Sequence, residues 1–415
     1  MRVFLSETGS VVAELHYAHE VDALREGMTV SDPTQEDLRS FPILASQICS
    51  GILWTSAEDG LRGWKVAETK KDIAVRETSE SLSCAAAIGS GLVAGHSMSL
   101  QSVTEGSVLV PAELQCVTCM AAGGDGTLYC TGPPTDGNLW ICEFDTRAME
   151  WGKRHCVLQE CLGLQLKGRV MATCLTYCAE LRACFVVVST LIVMVHPPSR
   201  RTAIVDAGKE VQMWNLGQPT DAPRLQCNSV FLVLPVPSAR QVWVIPSMSK
   251  SAFILPLSRW EAREANAGAR VGLKDDGVNA GEGSAGSDAD DGEKESEDVA
   301  RMRVFATPGE VGQFHSLCLT GKYTVVSGHR SGDVVEWTIS SGASLELNSA
   351  PFATSSSTQT SALAGSSTTE LRQAAGLTSR VLGQKHCDCS VQSITCVWGS
   401  TVWTGDSDGA IAVWR

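Results

Sequence analysis

The chain has 415 residues, of which 43% are apolar and 19% are charged, and its formal net charge is −13. This length is enough for two or three ordinary domains or for one large repeat domain with a sizeable core. The acidic balance argues against a nucleic-acid phosphate binder and against docking on an anionic membrane surface, since both need clustered basic groups.

The N-terminal sequence MRVFLSE is a short β-prone run without a basic region before it, so it predicts a strand and not a secretory signal. Residues 16–28, HYAHEVDALREGM, have the clearest helical period. Further along, the apolar stretch 183–195, ACFVVVSTLIVMV, is too short to span a bilayer.

The 16 cysteines are scattered through apolar, strand-like runs. That pattern predicts reduced thiols in an intracellular, cytoplasmic protein, with nuclear or cytoskeletal association left open.

Most of the chain consists of short β-branched or aromatic runs separated by Gly, Asp, Ser and Pro, which is typical of strands and turns. Three hairpins share one pattern: an apolar strand, Ser or Thr, a tight turn with Gly, and a second strand that carries Trp. They read ILWTSAEDGLRGWKV from Ile52, TVVSGHRSGDVVEWTI from Thr324 and TVWTGDSDGAIAVWR from Thr401. The first three turns of the chain, near residues 60, 99 and 137, recur at roughly 40 residues, the period of a four-stranded propeller blade.

Two inserts interrupt the later strands. Residues 261–300 contain KDDGVNAGEGSAGSDADDGEKESED, which is acidic and nearly free of large apolar groups, so it predicts a disordered loop. Ser287 within it suits an acid-directed kinase and is a candidate phosphorylation site. Residues 341–380 are rich in Ser and Thr and low in complexity. Because apolar strands flank both inserts, we expect loops projecting from one scaffold that spans residues 1–415.

The hairpins resemble the WD-repeat β-propeller family. The resemblance implies a hydrogen-bonded tie within each blade, and in the last blade it assigns this tie to His386, Thr404, Asp408 and Trp414. Such a tie would give a buried Trp N–H and a buried carboxylate the partners they need. In the preceding blade Ser331 stands where the family has Asp.

The fold class predicted is all-β: a single propeller, with seven four-stranded blades. The blades start near Phe41, Ser81, Leu114, Gly168, Leu225, Gly312 and Val391. This count rests on spacing, because residues 163–258 carry almost no motif. The stretch RTAIVDAGKEVQMWNLG could be a further hairpin, so eight blades remain possible, and six are not excluded. The last blade has three strands, and we expect residues 1–6 to supply the fourth and close the ring.

The resemblance also implies a function: a non-catalytic protein–protein interaction scaffold. It places the residue before the turn Asp on the top face of the propeller, where it contacts partners. These positions are Glu58, Arg330 and Ser407. The alternative for each is an ordinary solvated turn residue.

No enzyme, cofactor or metal site is predicted. The sequence holds no nucleophile elbow, P-loop or kinase signature. Cys116 and Cys119 lie on a predicted strand, where residues three apart point to opposite faces. The cluster His386-Cys387-Asp388-Cys389 has no second ligand pair at a suitable spacing.

Two other functions remain open. The acidic insert could be the functional element and bind a basic partner. Alternatively, the propeller could be an enzyme or small-molecule binder that uses its central channel, which requires polar side chains on the innermost strands. The expected partners are other proteins, with no nucleic acid and no membrane span, and the oligomeric state is left open.

Overall fold

The computed structural model describes part of the chain. Before residue 99 it describes backbones only, and beyond that residue it describes most side chains. The described residues are 2–5, 10–13, 45–49, 52–57, 60–64, 72–77, 84–88, 91–95, 99–102, 106–123, 126–133, 135, 138–157, 172–197, 199, 201–220, 224–262, 302–340, 377–384, 389–397, 401–408 and 411–414.

The described strands are short and follow one another closely. They are β1 (Arg2–Leu5), β2 (Ser10–Ala13), β3 (Ala45–Cys49), β4 (Ile52–Ala57), β5 (Gly60–Trp64), β6 (Asp72–Glu77), β7 (Cys84–Ile88), β8 (Gly91–Gly95), β9 (Ser99–Ser102), β10 (Gly106–Leu109), β11 (Cys119–Ala122), β12 (Thr127–Thr131), β13 (Trp140–Asp145), β14 (Glu150–Cys156), β15 (Ala172–Cys178), β16 (Ala183–Val188), β17 (Leu191–His196), β18 (Arg201–Asp206), β19 (Val230–Val236), β20 (Gln241–Pro246), β21 (Ser251–Pro256), β22 (Arg303–Ala306), β23 (Phe314–Gly321), β24 (Thr324–His329), β25 (Asp333–Ile339), β26 (Leu377–Gln384), β27 (Val391–Val397), β28 (Thr401–Asp406) and β29 (Ile411–Trp414).

These strands form antiparallel four-stranded sheets in chain order. Sheet 1 is β3–β6, sheet 2 is β7–β10, sheet 3 is β11–β14, sheet 4 is β15–β18, sheet 5 is β19–β22 and sheet 6 is β23–β26. Sheet 7 has the order β2-β1-β29-β28-β27. The first strands of successive sheets contact one another, and β27 contacts β3, so the sheets close into a ring around their first strands. The fold is therefore an all-β propeller with four-stranded blades.

The sequence predicts seven blades, and five of them, sheets 3 to 7, are described with their side chains. Sheets 1 and 2 are described almost entirely through their backbones.

The first strands of neighbouring sheets run parallel. Thr173 on β15 donates to the carbonyl of Val230 on β19 at 3.1 Å, and Thr176 donates to the carbonyl of Val233 at 3.2 Å. Three residues further along β15 therefore correspond to three residues further along β19, which shows that the two strands run in the same direction. As a result, the turns between second and third strands share one face of the ring, here called the top face. The turns between first and second strands, and between third and fourth strands, lie on the opposite, bottom face.

The N-terminal strand lies where the sequence predicts it. β1 pairs with β29 in parallel, with Phe4 opposite Trp414. β2 then pairs with β1 as an antiparallel fifth strand, which the sequence did not predict.

A helix replaces the extra hairpin that the stretch RTAIVDAGKEVQMWNLG could have formed. β18 is followed at once by α1 (Ala207–Leu216), because the Asp206 carboxylate accepts the backbone N–H groups of Gly208 and Lys209 and caps the helix. Glu210 on α1 is buried and pairs with Arg259 at 3.5 Å. Residues 201–216 therefore form the last strand of sheet 4 and a helix, and they do not form the additional hairpin on which a count of eight blades depends.

The predicted bounds of both inserts change. Residues 258–262 are helical, so the first insert starts after them, and β26 begins at Leu377, so the second ends before it. Both inserts join the third to the fourth strand, in sheets 5 and 6, and both therefore leave the bottom face of neighbouring blades. Their predicted disorder, the candidate phosphorylation site Ser287 and the helical candidate 16–28 lie outside the described residues.

The core lies between the sheets. The stretch without motifs is deeply buried, since every residue of β16 and of β20 is buried. Between sheets 5 and 6 the rings of Trp243, Phe305 and Trp337 pack edge to face, with centroids 4.8 to 6.2 Å apart. Uniform burial removes the apolar–polar alternation of a half-exposed strand, which is why this region lacks a recognisable pattern.

Candidate functional site

The structure brings together two members of the predicted tie in sheet 7. The Trp414 indole N–H donates to Thr404 Oγ1 at 3.0 Å, and both residues are buried. Thr404 Oγ1 in turn donates to the carbonyl of Ala412 at 3.4 Å. The strand register makes this contact possible, because β28 and β29 pair with Thr404 opposite Ala412.

Asp408 lies at the exposed turn that follows β28. Its carboxylate accepts from the Cys389 thiol at 2.8 Å, and its backbone N–H donates to Asp406 at 2.9 Å. Asp406 is the buried carboxylate of this blade, with 2% of its surface exposed, and the sequence prediction missed it. His386 lies outside the described residues, so its place in the tie, like that of Asp408, stays a prediction.

Sheet 6 contains a tie in which a histidine is the third member. The Trp337 indole N–H donates to Ser327 Oγ at 2.7 Å, Ser327 Oγ lies 2.8 Å from His329 Nε2, and His329 Nδ1 lies 3.1 Å from the carbonyl of Gly312. The carbonyl can only accept, so Nδ1 carries the proton and Nε2 accepts from Ser327. His329 is completely buried, and this burial lowers its pKa to about 4.

His329 was missed because the family pattern places the polar partner in the turn, whereas here it lies on the strand. His329 follows Ser327 by two residues, as Asp406 follows Thr404 in sheet 7. A Ser/Thr-Gly-His/Asp pattern at the end of a second strand is the signal that could have found both residues.

The top-face turn of sheet 6 presents Arg330 to solvent. The Arg330 backbone N–H donates to the carbonyl of Gln313 at 2.9 Å. Ser331 Oγ accepts the backbone N–H of Gly312 at 2.7 Å and donates to the carboxylate of Asp333. Ser331 therefore holds this turn through its hydroxyl, at the position where the family has Asp.

Gly312 allows the close approach of the two segments in this turn. A Cβ atom at this position would lie 2.8 Å from the backbone nitrogen of Ser331 and 2.7 Å from its Oγ. Any other side chain would push the segment before β23 away from the turn. The Arg330 side chain therefore projects from a backbone that is fixed on both sides.

The other two predicted contact residues differ from Arg330. Ser407 is half-buried, its N–H donates to the carbonyl of Ser390 at 2.9 Å, and its Oγ accepts the N–H of Ser390 at 3.2 Å. Its polar atoms therefore serve the turn itself. Glu58 lies outside the described residues.

An aromatic and imidazole pair lies close to this turn, near the top of the first strands. The rings of Phe231 on β19 and His315 on β23 make an edge contact, with centroids 5.4 Å apart. His315 Nδ1 is buried and has no hydrogen-bond partner among the described residues. Burial, and next the positive charge of Arg330, lower the pKa of His315.

The two cysteines of the C-x-x-C sequence are not both on a strand. Cys116 precedes β11, which begins at Cys119, and the Cys119 thiol donates to the carbonyl of Ala172 at 3.7 Å. Within the described part of the chain, no three His, Cys, Asp or Glu side chains are grouped to hold a metal ion. The described helices include none with the length and apolar character needed to cross a membrane.

The sequence matches no protein-family model and no curated protein. Its fold is similar to the structure of U3-55K, with a TM-score of 0.51 and 11% identity over 92% of this chain and 96% of that one. It is also similar to the Pan2 WD40 domain of Neurospora crassa, with a TM-score of 0.50 and 9% identity over 90% and 88%. A chain of the mitotic checkpoint complex gives a TM-score of 0.49 and 14% identity over 90% of each chain. At these identities the similarity shows the fold alone, a β-propeller like that of WD40 domains.

Proposed function

We propose that this chain is a WD-repeat-type propeller that acts as a non-catalytic protein–protein interaction scaffold and binds its partner through the top face of sheet 6. The observation that carries the proposal is the exposed Arg330 on a turn whose backbone is held by Gln313 and by the Gly312–Ser331 hydrogen bond.

This turn suits protein binding for two physical reasons. Arg combines a planar set of donors with a long apolar stem, and it is enriched among the residues that dominate binding energy. A side chain on a fixed turn also loses less conformational freedom on binding than one on a loose loop. The nearby His315 and Phe231 add an aromatic surface beside the charge.

Charge reversal at one position, with a matched control in the same sheet, tests the proposal. Lys322 is exposed on the turn between β23 and β24, on the bottom face. We expect Arg330→Glu to deplete at least one co-purifying protein and Lys322→Glu to deplete none, with both melting temperatures near that of wild type, since exposed turn changes cost little. If the two variants recover the same partners at the same abundance, the top face of sheet 6 is not the binding surface.

We also infer a ring of seven blades. The five sheets described with side chains account for the chain from β11 onward, and the backbones of β3–β6 and β7–β10 form two further sheets. The contacts of β3 with both β7 and β27 support this count, because among the described strands they put sheet 1 directly between sheets 7 and 2.

An intracellular site of action fits this proposal. The described cysteines are thiols, with five of them buried in the strands of sheets 3 and 4, as expected in a reducing compartment.

Deleting residues 263–301 distinguishes the scaffold from the alternative in which the acidic insert binds a basic partner. Loss of the same partners in that deletion and not in Arg330→Glu would favour the insert.

A further inference from the structure

A basic residue lies on the bottom face of each of three consecutive sheets. These residues are Arg182 in sheet 4, Arg240 in sheet 5 and Lys322 in sheet 6, and each lies in the turn between the first and second strands. All three are exposed. The first strands of these sheets surround the centre of the ring, so the three turns follow one another around it. The three basic residues are here called the basic arc.

The backbone of the basic arc is fixed by hydrogen bonds. The N–H groups of Arg182 and Arg240 each donate to the carbonyl three residues earlier, at 3.2 and 2.9 Å. Both residues have a positive φ, of 48° and 50°, so the two turns have the same form. The carbonyl of Lys322 accepts the hydroxyl of Ser238, which joins the turn of sheet 6 to the turn of sheet 5. The fold therefore sets the position of each positive charge.

Two acidic side chains lie beside the basic arc. Glu180 is exposed in the same turn as Arg182. Glu261 pairs with Arg240 at 2.6 Å, and 60% of the Arg240 side chain and 41% of the Glu261 side chain are open to solvent. An ion pair so exposed is weak, so Arg240 can exchange this carboxylate for another. Among the described residues, Lys322 has no ion-pair partner.

The acidic insert is attached to the same face. Leu257, just before the insert, donates its N–H to the carbonyl of Arg240 at 2.9 Å. After the insert the chain enters β22, which lies two strands from β20 and therefore about 10 Å across sheet 5. Residues 288–298 contain seven Asp and Glu and one Lys, which leaves a net charge of −6. They end four residues before Met302, and four residues span at most about 14 Å. Chain length alone keeps this acidic run close to the basic arc.

We propose that the basic arc is an intramolecular docking surface for residues 288–298. Opposite charges favour the contact, and the tether gives the acidic run a local concentration in the millimolar range, so several weak exposed ion pairs suffice to hold it. An acidic segment of another molecule lacks this advantage. A basic partner of the acidic insert would then compete with the basic arc.

Zero-length cross-linking of the full-length chain with a carbodiimide tests the proposal. The reagent joins an amine to a carboxylate that touches it, and Lys322 supplies the amine. Mass spectrometry of the digested monomer should show Lys322 joined to a carboxylate of residues 288–298. About 0.5 M salt should reduce the yield, because it screens exposed charges. Lys250 is the control, since it is exposed on the top face of sheet 5, and we expect no such cross-link there.

Charge reversals on the two faces of sheet 5 separate docking from a general effect of net charge. Arg240→Glu and Lys250→Glu change the net charge equally, but Arg240 alone belongs to the basic arc. We expect Arg240→Glu to lower the cross-link yield at Lys322 roughly two- to five-fold, as for the loss of one exposed ion pair, and Lys250→Glu to leave it unchanged. Arg182→Glu should act like Arg240→Glu. All three variants should melt near the wild-type temperature, since exposed turn changes cost little.

Several results would overturn the inference. Lys322 could fail to join residues 288–298, or Lys250 could join them with equal yield. The yield could ignore both salt and the two arginine changes, which would show that the tether alone brings the groups together. A cross-link confined to the dimeric fraction would show that the occupant is a second copy of the chain.

Discussion

Acid should weaken this propeller through one buried histidine. His329 has an ordinary pKa of 6.5 and a pKa of about 4 in the folded chain, because burial disfavours its charged form. Between these values the unfolded chain binds a proton that the folded chain does not, so stability falls as the pH drops from about 6.5 towards about 4. The contribution is complete above about pH 6.5 and is lost progressively as the pH falls from there to about 4.

The size of the effect follows from the same two pKa values. Their difference of about 2.5 corresponds to about 3 kcal/mol of unfolding free energy, at about 1.36 kcal/mol for each pKa unit. The structural cause is specific. A proton on Nε2 of His329 removes the hydrogen bond that this nitrogen accepts from Ser327, and it places a charge beside the buried ring of Phe314 in the core between sheets 5 and 6.

Urea denaturation between pH 4.5 and 7.5 measures this contribution. We expect the unfolding free energy of wild type to decrease by about 2 to 3 kcal/mol over this range. His329→Gln should be about 1 to 3 kcal/mol less stable at pH 7.5, where it loses the hydrogen bonds, and should show a flatter pH dependence. His196→Gln, outside the tie, is the control for a general effect of replacing histidine. An equal pH dependence in wild type and His329→Gln would refute the reasoning.

Three further changes test other parts of the fold. Thr404→Val should cost about 1 to 3 kcal/mol, measured by urea unfolding, because it leaves the buried Trp414 N–H without its acceptor, whereas Thr404→Ser should cost less. Gly312→Ala should lower the melting temperature, since its Cβ would collide with Ser331, whereas Gly321→Ala, whose Cβ would meet no atom closer than 3.6 Å, should change it little. Deleting residues 2–5 should lower the melting temperature by exposing the edge of β29, and an unchanged value would contradict the pairing of β1 with β29.

The sequence allows the architecture to be predicted where hairpins carry a turn glycine and a strand tryptophan. The tight turn before Trp337 and the one before Trp414 place Ser327 and Thr404 within reach of the indoles, and both contacts are present. Short-range patterns of this kind depend on strand register, which the turn length fixes.

The rest depends on contacts that no local pattern records. A local pattern can point to His329, but the acceptor of its Nδ1–H, the Gly312 carbonyl, comes from the segment before β23 and is not visible in that pattern. The helix α1 has a local cap in Asp206, but the ion pair of Glu210 with Arg259, which joins segments of sheets 4 and 5, is a distant contact that the local sequence does not show. Tertiary contacts of this kind override local propensity.

The two inserts and the proposed binding residue Arg330 lie on opposite faces of the propeller, which the sequence alone did not predict. Both inserts leave from connections between third and fourth strands, so they begin and end on the bottom face of sheets 5 and 6. Arg330 lies between β24 and β25 on the top face of sheet 6, opposite to the face from which the inserts leave. A partner held by the top face and one recruited by the acidic insert would therefore approach from opposite sides of the ring. The same two blades could then carry both contacts without competition, and binding of one partner should not displace the other.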